Sequence, residues 1–222
     1  MSGILNSSIG RKFAMALSAL FLMFFLLQHF AINILSVFSE NAFNEASHFM
    51  GTFWAVQFIL QPVLIIGILF HFTMGIILEL QNRKAREVKY AKNNGNANST
   101  WMSRNMIWTG LLIEAFLIVH MSQLWWHEMM VKYISPQIEK IEDPTRYYKE
   151  LVEHFESPVI VGIYVVAFVF LALHLLHGFN SAFQSVGANN KYTRGLKGVS
   201  KVYAIGIPVG FIFIALYHHL AH

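Results

Sequence analysis

Hydrophobic residues gather into five long blocks along this chain, at roughly 13–38, 53–78, 105–126, 158–180 and 202–220, with polar stretches between them. A helix needs about 20 apolar residues to cross a ~30 Å hydrocarbon core. The blocks therefore predict an all-α integral membrane fold of five transmembrane helices, one domain over residues 1–222. The first block runs uncharged from Phe13 to Phe38, behind Arg11 and Lys12. It is longer than the apolar core of a signal peptide, about 7–15 residues, and lacks a small-residue exit. It is expected to remain as the first span. Pro62 and Pro208 fall inside blocks, where neighbouring helices can satisfy the freed carbonyls.

The polar stretches predict connections. The second is polar and flexible around Asn93-Asn94-Gly95-Asn96. The third predicts a short surface helix, with Asp143 as its cap and Pro144 at its first position.

Composition supports this reading. Residues are 55% hydrophobic and only 13% charged, against about a quarter charged in a soluble domain. The net charge of +4 is explained by membrane orientation and not by nucleic acid. The N-terminus and the second and fourth connections hold twelve of the 16 Lys and Arg residues, and the third connection holds four. By the positive-inside rule the N-terminus faces the cytoplasm and the C-terminus faces out. The absence of cysteine excludes disulfides, thiolate metal sites, c-type haem attachment and thiolate-held iron–sulfur clusters in this chain.

Eleven histidines are present, and five lie well inside spans: His29, His71, His120, His174 and His177. A lone intramembrane histidine can simply bond a neighbouring helix. Depth argues for more. At 1.5 Å rise per residue, His29 lies ~24 Å and His120 ~22–24 Å from the inner ends of their helices. His71 lies ~10–12 Å and His174 ~9 Å from theirs. Four helices supply one histidine each, in two pairs at two depths, as two stacked bis-histidine haems require. Gly75 and Gly178, one turn beyond His71 and His174, leave space for a flat macrocycle or a close helix. His177, three residues past His174, could compete as the ligand, but the His174 to Gly178 spacing repeats that of His71 to Gly75, and His177 is expected as a hydrogen-bond partner. His48, His127 and His154 are expected at the outer surface. His218, His219 and His222 are expected to form a polar helix end. Glu114, in the inner half of the third span, reads equally as a protonated acid bonded to a neighbouring helix or as a proton-relay or quinone contact.

The residues resemble those of the membrane-anchor cytochrome b of succinate dehydrogenase and fumarate reductase, of the single-anchor, five-helix, two-haem type. The stretches that carry the resemblance span nearly the whole chain. They are Gln28-His29 with Asn33, Phe43-Asn44 with His48-Phe49-Met50, and His71 with Gly75. Gly110 ten residues before His120, His174 with Gly178, and Ser181 to Gly187 complete them. The resemblance implies that His71 and His174 ligate a proximal haem b near the cytoplasm, and that His29 and His120 ligate a distal haem b. It also implies a flavoprotein subunit that oxidises succinate and an iron–sulfur subunit on the basic inner face, around Arg83 to Arg104 and Lys191 to Lys201. It further implies an exchangeable quinone, menaquinone in this type, in a bacterial cytoplasmic membrane. The outer quinone pocket would involve the outer ends of the first three helices, where Gln57, Trp125 and Trp126 are candidates. Interfacial anchoring explains the tryptophans equally well.

Two other readings stand beside this one. A cytochrome b subunit of a hydrogenase or formate dehydrogenase would also be a two-haem bundle. A transporter using protonatable histidines would need no haem. The paired-level reading predicts that replacing either His29 or His120 removes one haem and leaves the other. Haem quantified per polypeptide checks this, and two full haems in both variants would overturn it.

Overall fold

The computed structural model describes residues 7–84, 105–188 and 193–221. Within them every regular element is helical. The main helices are α1 (Ser8–Asn33), α2 (Glu40–Thr52), α3 (Gln61–Lys84), α4 (Met106–His120), α5 (Arg146–Phe155), α6 (Pro158–Ser185) and α7 (Thr193–Ala221). Short pieces extend several of them. Leu35–Phe38 prolongs α1, a π-helical turn at Val56–Leu60 leads into α3, and Met121–Trp125, Trp126–Met129 and Met130–Ile134 carry α4 onward. Five of the resulting rods are long and apolar enough to cross a membrane: Ser8–Phe38, Val56–Lys84, Met106–Ile134, Pro158–Ser185 and Gly195–Ala221. This is the architecture of a multi-pass membrane protein, as the apolar blocks predicted. The basic residues from Arg86 to Arg104, the Asn93-Asn94-Gly95-Asn96 segment, Lys191 and His222 lie outside the described residues.

Successive spans run in opposite directions, so the bundle has two faces. The N-side carries the start of α1, and the C-side carries the end of α7 together with α2 and α5. Serine caps start α1 and α2. Ser7 Oγ accepts from the Gly10 amide at 2.9 Å, and Ser39 Oγ accepts from the Ala42 amide at 3.2 Å.

Four helices form a square. α1 packs on α3 and α6, and α4 packs on the same two. The like-directed helices, α1 with α4 and α3 with α6, therefore face each other across the diagonals. α7 lies outside the square, packed mainly on α6. Close crossings use glycine: a side chain on Gly67 would meet the Phe21 ring at 2.8 Å, and one on Gly210 would collide with the Phe30 ring. At the C-side, Phe43, Leu151, Phe155, Tyr164, Phe168, Phe211 and Ile214 form one buried cluster that joins α2, α5, α6 and α7.

Every one of the five helices runs past an expected bound: the first begins at Ser8 against 13, the second ends at Lys84 against 78, the fourth ends at Ser185 against 180, and the fifth already includes Gly195 against 202. The third span does not end near residue 126 but continues to Ile134. Its charges are neutralised where they stand. Lys132 Nζ lies 2.6 Å from Glu128 Oε1, one turn away on the same helix, and also donates to the Gly51 carbonyl. Arg146 Nη2, from α5, donates to both Glu128 oxygens at 2.7 Å, and its Nη1 donates to Glu150 at 2.9 Å. Burial opposes the Arg146 charge, but Glu128 and then Glu150 outweigh it and hold the guanidinium above its ordinary pKa. A further difference is at α5. Asp143 Oδ1 accepts from the Thr145 amide at 2.8 Å and its hydroxyl at 2.7 Å. This turn keeps Asp143 and Pro144 outside the helix, which starts at Arg146 behind Thr145.

The Arg146 side chain is 5% exposed, and its removal leaves Glu128 with Lys132 alone and breaks the Glu150 ion pair. Arg146→Ala is expected to cost about 3–5 kcal/mol of stability, measured by reversible unfolding in mixed micelles. A loss below about 1 kcal/mol, the worth of an exposed pair, would show that water reaches the cluster.

Candidate functional site

The four histidines singled out by depth sit on the two diagonals of the square. His71 of α3 and His174 of α6 bring their ring centroids to 6.5 Å at the N-side level. His29 of α1 and His120 of α4 bring theirs to 5.9 Å at the C-side level. The structure thus brings together the same two pairs that the rise arithmetic expected. Two parallel rulers give their spacing. Eleven positions separate Ser18, beside His71, from His29 on α1, and eleven separate Thr109, beside His174, from His120 on α4. At 1.5 Å per residue both place the levels about 16 Å apart.

Hydrogen bonding sets which ring nitrogen is free. Ser18 donates its proton to the Met15 carbonyl at 2.8 Å. With that bond made its oxygen, 3.0 Å from His71 Nδ1, is placed to accept there, which suits the tautomer with the proton on Nδ1. Thr109 repeats the arrangement. It donates to the Met106 carbonyl at 2.9 Å and lies 3.2 Å from His174 Nδ1. In that tautomer both N-side imidazoles keep an unprotonated Nε2, the nitrogen left over for a metal.

The C-side pair is held differently. His120 Nδ1 lies 3.1 Å from the Tyr164 hydroxyl. That hydroxyl also lies 3.0 Å from His154 Nε2 on α5. Burial holds the His154 imidazole below its ordinary pKa, so it is neutral near pH 7. Asn33 donates to the His29 carbonyl at 2.8 Å, and its amide nitrogen is 3.4 Å from His29 Nδ1. An amide nitrogen can only donate there, so among the described residues His29 alone of the four has no acceptor beside Nδ1.

The donor set decides what could bind. Each level offers two imidazoles, and among the described residues no group of three or more His, Asp or Glu side chains could hold a metal ion. Structural zinc asks for four protein ligands. Two trans imidazoles suit a metal that brings its own equatorial ligands, such as haem iron. With a metal–imidazole bond of about 2 Å, trans ligands place their ring centroids roughly 6–6.5 Å apart. Both pairs fall close to that span. Gly110 lets α4 approach His174, whose Cε1 would lie 3.6 Å from a side chain added there. At Gly75 and Gly178 an added Cβ would touch only the tips of Met15, Met106 and Met23, at 3.6–3.9 Å. These are flexible side chains able to yield to a flat group.

Other expected residues fall as follows. His177 is half-buried a turn beyond His174 and, contrary to expectation, has no hydrogen-bond partner among the described residues. Glu114 is half-buried, and no neighbouring helix bonds it among those residues. Gln57 donates to the Gly51 carbonyl and accepts from the Tyr133 hydroxyl. Trp125 donates to Gln61 Oε1 at 3.3 Å, while Trp126 is exposed. His127 is exposed, as expected. His48, expected at the surface, packs its ring against Tyr147 at 6.2 Å.

Three terminal or outer histidines depart from expectation. His218 is 1% exposed and sits 2.9 Å from Ser36 Oγ. His219 Nδ1 donates to the Phe155 carbonyl at 2.9 Å. These two fasten the end of α7 to α1 and α5 instead of forming a solvated helix end. His154 is tied to the site through Tyr164. Sequence reasoning missed Tyr164 because a tyrosine in an apolar span reads as packing. The available signal was a phenol buried at the depth of His120 in the neighbouring helix.

Comparison with protein-family models, curated proteins and solved structures gives no match.

Removing an outer partner of a metal-bound histidine typically costs 10–100-fold in affinity or activity. Were haem the group held by these pairs, the double variant Ser18→Ala, Thr109→Ala would weaken its retention at the N-side level at least tenfold and spare the C-side level. Titration of purified apoprotein with haemin, monitored optically, checks this. Equal weakening at both levels would mean that the hydroxyls serve bundle stability alone.

Proposed function

We propose that this chain is the membrane-anchor, dihaem cytochrome b subunit of a succinate:quinone oxidoreductase. It would pass electrons between an iron–sulfur subunit and a membrane quinone, menaquinone by the family resemblance. The observation that carries the reading is the pair of diagonal histidine couples, with ring centroids 5.9 and 6.5 Å apart, at two levels about 16 Å apart at 1.5 Å per residue. Bound haem would supply reversible one-electron iron chemistry.

The chain's own residues do the rest. His71 and His174 would hold the haem on the N-side, and His29 and His120 the one on the C-side. Ser18, Thr109 and Tyr164 orient three of these rings. The apolar helices exclude water and ions, which fixes a low-dielectric setting for each potential. By the distribution of basic residues the N-side is the cytoplasmic face, where the iron–sulfur and flavoprotein subunits would dock in a bacterial cytoplasmic membrane. No dicarboxylate site is assigned to this chain. The quinone would exchange at the C-side ends of α1, α3 and α4, where Gln57, Gln61, Trp125 and Tyr133 gather polar groups beside the helix of His120.

The test is a reduced-minus-oxidised optical spectrum of the native complex, with haem quantified per polypeptide. Two b-type haems reducible by succinate are expected. Two haems that succinate leaves oxidised would move the chain to another respiratory oxidoreductase, such as a hydrogenase or formate dehydrogenase. No haem in folded protein would favour a histidine-using transporter.

A further inference from the structure

The three residues His120, Tyr164 and His154 form a line of hydrogen bonds from the bundle interior to the C-side surface helix α5. Tyr164 is 3% exposed and boxed by Phe116, Phe155 and Phe168, with ring centroids at 4.9, 5.3 and 5.9 Å. Its hydroxyl has one proton and faces two imidazole nitrogens. One of these must donate to it, and the other must accept from it. A metal on His120 Nε2 settles the direction. His120 then carries its proton on Nδ1 and donates to the phenol oxygen, the phenol donates to His154 Nε2, and His154 keeps its own proton on Nδ1.

No other candidate histidine has this support among the described residues. Ser18 and Thr109 spend their protons on carbonyls one turn back in their own helices. Tyr164 instead spends its proton on a side chain from a different helix. His29 has no acceptor beside Nδ1. The C-side level is thus asymmetric, with one ring backed by a two-member chain and the other facing only the Asn33 amide donor.

We propose that Tyr164, backed by His154, is a positioning residue that sets the electron-donating strength of His120 and so lowers the reduction potential of the cofactor held on the C-side. The proposal rests on the haem reading of the two histidine pairs. An imidazole that donates through Nδ1 is the more basic at Nε2, and a more basic ligand favours the oxidised iron. The bond from Tyr164 to His154 polarises the phenol oxygen and strengthens it as an acceptor.

The experiment is a redox titration of both haems in the intact complex, with the C-side haem identified as the one lost in His29→Ala. Tyr164→Phe keeps the ring packing and removes the hydroxyl. At a fixed ambient potential it is expected to raise the reduced-to-oxidised ratio of the C-side haem about three- to tenfold, the equilibrium weight of one hydrogen bond. The N-side haem should not move. His154→Phe should produce a smaller shift in the same direction, and His154→Gln, which retains an acceptor, should restore the wild-type value. An unchanged C-side ratio in both Tyr164→Phe and His154→Phe, with two haems bound, would overturn the proposal. If Tyr164→Phe loses the C-side haem, the two His154 variants decide alone, since neither touches the ligand. Wild-type protein without haem would instead overturn the reading beneath it.

Discussion

A histidine inside a bundle of apolar helices is costly, because lipid and aliphatic side chains offer its ring nitrogens nothing in place of water. Four such histidines stand at the centre of this bundle, and much of the remaining structure can be read as the means of keeping them there. Two hydroxyls turn their protons to their own backbones so that they can accept from His71 and His174. A buried tyrosine hydroxyl lies within hydrogen-bonding distance of both His120 and His154. Glycines let the helices come close around these rings. The outcome is two pairs of imidazoles that meet across the bundle diagonals, with ring centroids 6.5 and 5.9 Å apart.

The bundle has an internal symmetry that follows from this arrangement. α1 and α4 each carry a hydroxyl residue and, eleven positions later, a histidine: Ser18 with His29 and Thr109 with His120. Each hydroxyl serves the N-side pair, and each histidine belongs to the C-side pair. α3 and α6 then contribute one N-side histidine apiece. Two helical hairpins with the same chemical plan thus face each other. α7 supports this square from outside, its end fastened by His218 and His219.

The C-side is the more heavily built end. There the third span continues past its apolar stretch on charges that neutralise one another, and α2 and α5 close over the bundle. The same cap that holds Arg146 against Glu128 carries His154 to Tyr164. Stability of the cap and tuning of the C-side histidines are therefore linked through one short helix.

The sequence alone determined the five apolar helices, because a helix that crosses a hydrocarbon core needs about 20 apolar residues and such blocks cannot be hidden. It also determined which four histidines stand at matching depths, because a helix rises by a fixed distance per residue. Rise says nothing about direction around the helix axis or about which helices become neighbours. Only the tertiary structure decided that the pairs lie on diagonals, that Ser18, Thr109 and Tyr164 back them, and that His154, His218 and His219 face inward. The end of the third span was illegible for the same reason. Glu128 and Lys132 read as a loop until the fold brings Arg146, from a separate helix, against them.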